Sequence, residues 1–172
     1  MSRSDPVEPW SVEVVTLASS IVGTVDVAAD KWANHIFSVQ AAGSASPLTV
    51  LIADIRGTGS IVPPDLRGRQ ASFRFGTALV AVAARNDAAV AAWDRWNESM
   101  TPLPGFALVG PYSVTGWFGS TDGTISSTLI APVFAVRDAT LTRIDGQGSG
   151  FSTTMPRAMV STSLAQIIVP NS

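Results

Sequence analysis

The chain of 172 residues has no cysteine, which excludes disulfides, thiolate chemistry and cysteine-type zinc sites. Histidine occurs once, at His35. A lone imidazole cannot assemble a multi-histidine metal site, so a solvated or hydrogen-bonded strand residue is expected there. Lysine also occurs once, at Lys31, against ten arginines, and the net charge is -2. With no basic run, the electrostatic footprint of a nucleic-acid binder is missing. Charged residues make up only 14% of the chain, where an average soluble domain has about 25%. A surface so thin in charge suggests cover by other subunits, and a homo-oligomer is expected. No apolar run approaches the roughly 18 residues of a membrane helix, and the opening Met1 to Pro6 lacks the apolar core of a signal peptide. The expectation is a cytoplasmic protein with no membrane insertion.

What is present is apolar and β-forming: hydrophobic residues reach 46%. One segment stands apart. Arg85 to Glu98 is alanine-rich, opens on Asn86 and Asp87 as caps, and is followed by Pro102, which cannot continue a helix. A helix over 86–98 is predicted, with Val90, Trp93 and Ala89, Ala92, Trp96 on one side. That side suits packing on the protein's own sheet. The alternative is a contact between subunits anchored by Trp93, Trp96 and Arg95, with Trp10 pinning an N-terminal arm. The chain divides into an extended arm (1–11), a first β unit (12–85), the helix with a Pro/Gly linker (86–105) and a second β unit (106–172), within one compact domain.

Strands are read at Val12–Leu17, Ile21–Val27, His35–Ala41 and Leu48–Ile55, the last apolar enough to be buried on both faces. A longer run, Ala71–Arg85, alternates Phe73, Phe75 and Leu79 with Ser72, Arg74 and Gly76 before the helix. After Gly105 the pattern returns. Leu108-Val109 and Val114–Phe118 stand where Val15-Thr16 and Ile21–Val25 stood, with Tyr112-Ser113 in place of Ser19-Ser20. Val133–Arg137 matches Ile36–Gln40, Ile144–Ser149 matches Ile55–Ser60, and Ala158–Ser161 matches Ala78–Ala81. The order of these four pairs predicts an internal duplication. The fold class expected is mainly β, two related small antiparallel barrel or sandwich units packed together with one helix between them. The strand order from Val109 through Trp117-Phe118 and Pro132–Leu141 to a final apolar strand resembles small barrels of the Sm or SH3 type. That resemblance implies edge strands able to pair between subunits into rings or stacks.

Catalytic signatures are weak. His35 with Ser60 or Ser149 and Asp54 or Asp138 makes an arithmetic triad, but Gly148-Ser149-Gly150 is not the strand-to-helix elbow of a serine nucleophile. The glycine loops at 57–60 and 146–150 lack the lysine and following helix of a phosphate loop. Asp26/Asp30 and Asp138/Asp145 are not placed together by their spacing, and Asp94 and Glu98 fall on the polar side of the helix. No catalytic, metal or cofactor residue is assigned and no cofactor is expected. Two readings remain: a non-enzymatic self-assembling protein, or a barrel that holds a small apolar ligand against Trp117, Phe134, Phe37 and Val25. A hydrolase-type enzyme ranks third.

Overall fold

The computed structural model describes residues 8–25, 48–73, 79–129, 133–147 and 150–170. The strand expected at His35–Ala41, the end of the one expected at Ile21–Val27, and Phe37, Asp26, Asp30 and Ser149 lie outside them. Among the described residues ten strands occur, the first five being β1 (Trp10–Thr16), β2 (Ser19–Val25), β3 (Leu48–Gly57), β4 (Gln70–Phe73) and β5 (Leu79–Ala84). A helix α1 (Asp87–Trp96) follows, then β6 (Thr101–Val109), β7 (Tyr112–Ser120), a 3-10 turn (Ile125–Leu129), β8 (Val133–Arg143), β9 (Ser152–Ser161) and β10 (Ala165–Pro170). The molecule is mainly β, as the composition predicts.

All ten strands join one antiparallel sheet, ordered β10-β6-β7-β8-β9-β5-β1-β2-β3-β4, which is not closed into a barrel. In each half the first four strands meander and the fifth returns to pair with the first, β5 with β1 and β10 with β6. The ladders break at matched places. Between β1 and β5 the register slips from Val15↔Ala81 to Thr16↔Leu79, and between β6 and β10 it slips from Leu108↔Ile167 to Val109↔Ala165. Between β2 and β3 the slip follows Val22↔Asp54, and between β7 and β8 it follows Thr115↔Thr140. The residue after each of these is a glycine with no room for a side chain. A Cβ on Gly23 would strike the Leu51 carbonyl and Val50 Cγ1, and one on Gly116 would sit 2.9 Å from the Arg137 carbonyl and 2.8 Å from Val136 Cγ1. Bulges of this kind bend a strand and let a sheet curl.

Curling gives two cores, one on each face. The first gathers Trp10, Val12, Val14, Ile21, Val25, Leu48, Val50 and Ile52 under Ala89, Ala92 and Trp93 of α1. The second gathers Ala107, Tyr112, Val114, Phe118, Phe134, Val136, Leu141 and Met155. β5 is buried on both faces, with Leu79, Val82 and Ala84 in the first core and Val80, Ala81 and Ala83 in the second. It is the strand on which the halves meet.

Four expectations need correction. The arm gives way at Trp10, which begins β1 and is buried because alternate residues from it onward face the first core. The linker at Thr101–Gly105 is strand: Pro102 and Pro104 are tolerated because this stretch of β6 pairs with β7 alone, β10 reaching only as far as Gly105. The run Ala71–Arg85 holds two strands, β4 and β5, which sit four positions apart in the sheet. β3 is buried on one face only: Leu48, Val50 and Ile52 point inward while Thr49, Leu51 and Ala53 are exposed. An apolar residue type is not evidence of cover when only one layer packs on the strand.

Candidate functional site

The fold leaves one internal seam and two open edges. At the seam β5 pairs with β9 through Ala81↔Val160, Val82↔Met159, Ala83↔Ala158 and Ala84↔Arg157. α1 lies across it, touching β1, β5 and β9. The helix forms where the sequence predicts it: the Asn86 side chain accepts the Ala89 N–H at 3.2 Å, Asp87 occupies the first turn and Arg95 the last. Asn97 closes it, with its backbone N–H and side-chain amide both donating to the Trp93 carbonyl. The Trp93 indole donates to the Ala158 carbonyl of β9 at 3.1 Å, and Arg157 stacks over its ring at 5.6 Å while donating to Asp94 at 2.5 Å. The Asp94 carboxylate expected to face water is therefore tied to β9.

Glu13 lies beside the seam and is 1% exposed. It alternates with Val12 and Val14 on β1 and so points to the opposite face. A buried carboxylate is tolerable only when paired and hydrogen-bonded. Ser20 donates to one oxygen at 2.5 Å and Arg56 at 3.3 Å; Arg85 donates to the other, which Thr153 of β9 also approaches at 3.4 Å. Arg85 further donates to the Thr154 carbonyl at 2.9 Å and to the Thr153 hydroxyl at 3.0 Å, so one guanidinium joins β1, β5 and β9. Burial pushes Arg85 down from its ordinary value, but a guanidinium stays charged. A cleft of about 350 Å³ opens here, lined by Glu13, Ser20, Val22, Asp54, Arg56 and Arg85. Its two acids and two arginines balance, and both arginines are already engaged by Glu13, which describes a structural clamp.

A second clamp crosses between the halves. Arg143 donates to the Leu17 carbonyl at 2.9 Å and to the Thr58 hydroxyl at 3.0 Å. The Thr58 and Tyr112 hydroxyls are 2.5 Å apart, and Tyr112 donates to the Thr16 carbonyl at 2.8 Å. Burial pushes the Tyr112 phenol up, with Thr58 and Arg143 pulling the other way. Asp145 holds Arg143 through two contacts of 2.8 and 2.7 Å, and those hydrogen bonds keep the Asp145 carboxyl below its usual range.

The open edges are β4 and β10. Among the described residues neither has a partner on its outer side. On β4, Ala71 and Phe73 pack on the first core while Gln70 and Ser72 are exposed. On β10, Ile168 packs on the second core and Val169 is 41% exposed.

The sequence-derived residues disperse. Trp93 and Trp10 belong to the first core, Arg95 is exposed at the helix end, and the Trp96 side chain lies outside the description. Phe134 is in the second core, 5.1 Å from Phe118. Val25 is in the first core, and Trp117, 46% exposed, lines a small surface pocket with Trp93, Met100 and Ala135 at the margin of that core. Ser60 meets Gln147, and Asp138 meets Arg157 at 3.7 Å. Among the described residues no three His, Asp or Glu side chains converge as metal ligands. The Glu13 clamp was missed because Val-Glu-Val-Val reads as a strand with one wet face; the arginines that cover it lie at distant positions. No helix among the described residues is long and apolar enough to cross a membrane. No protein-family model, curated protein or solved structure matches this chain.

Proposed function

We propose that the protein is a non-enzymatic, self-assembling structural or interaction protein built from a duplicated five-stranded β unit, residues 10–84 and 101–170. The observation that carries this reading is the repetition of pairing. Each half runs fifth-first-second-third-fourth, and the bulges of the two halves fall at corresponding pairs: Val15↔Ala81 with Leu108↔Ile167, and Val22↔Asp54 with Thr115↔Thr140. Gly23 and Gly116 meet the same neighbours, a carbonyl and a valine methyl of the third strand. A chance likeness between two β-meanders does not require the same irregularities in the same order.

The residue strings agree in part. Tyr112-Ser113 and Ser19-Ser20 both open the second strand, while Ile55–Gly57 still belong to the third strand of the first half and Ile144–Gln147 lie beyond that of the second. Ala158–Ser161 falls instead on β9 and Leu79–Ala81 on β5, a fourth and a fifth strand. Self-association follows from the edges, since an unpaired strand edge is a template for another chain, and the low charge of the chain leaves little to oppose it. The apolar-ligand reading gains no residue set, because Phe134 and Val25 sit in different cores. Sedimentation velocity over a hundredfold range of concentration tests the proposal. Species heavier than 17.9 kDa that grow with concentration are expected, and a single monomer boundary throughout would overturn it.

A further inference from the structure

We infer that the seam inside the chain is repeated between chains: β10 of one copy pairs antiparallel with β4 of the next, in the register that joins β5 to β9. This rests on the duplicated-unit reading above and adds the partner strand and the register.

Correspondence between the halves fixes both strands of the new junction. Ala81, Val82, Ala83 and Ala84 pair with Val15, Val14, Glu13 and Val12, while Ile167, Ile168, Val169 and Pro170 pair with Leu108, Ala107, Phe106 and Gly105. The shared bulge sets these two ladders in phase, so Ile167 to Pro170 correspond to Ala81 to Ala84. For the fourth strands, Val160, Met159, Ala158 and Arg157 pair with Phe134, Ala135, Val136 and Arg137, while Phe73, Ser72, Ala71 and Gln70 pair with Leu48, Thr49, Val50 and Leu51. The bulges at Gly23 and Gly116 set the third strands in phase, so Phe73 to Gln70 correspond to Val160 to Arg157. Transferring the seam Ala81↔Val160 through Ala84↔Arg157 gives Ile167↔Phe73, Ile168↔Ser72 and Val169↔Ala71 between copies. Pro170, with no N–H to donate, ends the ladder opposite Gln70.

The faces agree with this register. Ala83 faces the second core next to Ala158. Val169, its counterpart, is exposed in the single chain and would be covered beside Ala71 and Phe73, which already pack on the first core. The contact is heterologous, each copy offering β10 to one neighbour and β4 to another, so it generates a ring or an open stack. At the internal seam Trp93 of α1 donates to Ala158 of β9 beneath the Arg157 guanidinium; the junction between chains joins separate molecules and so exchanges with concentration.

Because the chain has no cysteine, introduced thiols report without background. Ala71→Cys and Val169→Cys proteins are purified separately, mixed and oxidised mildly. Directly paired Cα atoms are about 4.5–5.5 Å apart, within the roughly 4.4–6.8 Å a disulfide spans. The Phe73→Cys and Val169→Cys mixture is the control, its thiols being diagonal at about 7–8 Å. We expect covalent dimers from the first mixture at least tenfold faster than from the control or from either protein alone. A Val169→Glu chain should keep its melting temperature and lose association at least tenfold. Equal or absent cross-linking in a protein that still sediments as an assembly overturns the register and leaves self-assembly standing. A monomer in both experiments overturns the two proposals together.

Discussion

Glu13 shows how much one side chain can hold when its neighbours come from far along the chain. Its carboxylate receives Ser20, Arg56, Arg85 and Thr153, from three strands and the end of a fourth. Removing the charge while keeping the shape leaves Arg85, 27% exposed, without its carboxylate in a partly buried site. Glu13→Gln should therefore lower stability by about 3 kcal/mol, within the range for breaking a buried ion pair, as read by denaturant melts; a loss under about 0.5 kcal/mol would mean that water solvates the cluster. Tyr112 gives a second test. Its phenol is pushed up by burial, so the folded state holds its proton above the pH at which the unfolded chain releases it. The corresponding stability is complete below about pH 10 and is lost as pH rises from there through the folded value. Tyr112 is the one tyrosine in the chain, so absorbance of tyrosinate titrates it alone. The midpoint should lie above 10 in the native protein and fall to about 10 when unfolded, and equal midpoints would refute the buried placement. Asp145 runs the other way. Its carboxyl is held low by Arg143, so its contribution is present above the ordinary carboxylate range and lost on acidification, and Asp145→Asn should flatten the acid side of a melting profile.

Among the elements, α1 was the most legible. Its alanines, its Asn86 cap and its Trp93 stripe are local signals, and the helix packs on its own sheet as the simpler reading expects. Trp93→Ala should cost about 3–5 kcal/mol, as large aromatic truncations in cores do. A melt unchanged beside a lower assembly mass would place the indole in an interface instead. The strands were legible as apolar runs, but not where they join. Nothing local distinguishes a strand covered on one face, β3, from one covered on both, β5, because cover depends on which strands become neighbours. The prolines at 102 and 104 looked like a linker because local chemistry disfavours them in a ladder; the absence of β10 alongside makes room for them. Gly23 and Gly116 are the glycines at the bulges on which the proposed duplication rests. Gly23→Ala and Gly116→Ala each drive a methyl into a carbonyl and a valine, and each should destabilise by about 1–3 kcal/mol, the range for overpacking. A neutral result at one and a large loss at the other would separate the two bulges.

For the whole molecule, the sheet extends by adding the first strand group to the second through an ordinary ladder, so its two ends are the parts that the seam has not used. The small share of charge motivates the proposed self-association, and the similar residue strings motivate the proposed duplication. The pairing register, on which the proposed duplication rests, depends on bulge positions that no periodicity reveals. The most direct test is amide hydrogen exchange of the native protein at low and high concentration, resolved by peptide. Residues 70–73 and 167–169 should exchange fast when dilute and become protected when concentrated, while β7 and β8, paired on both sides within one chain, stay constant. Protection at both edges that does not change with concentration would contradict the account.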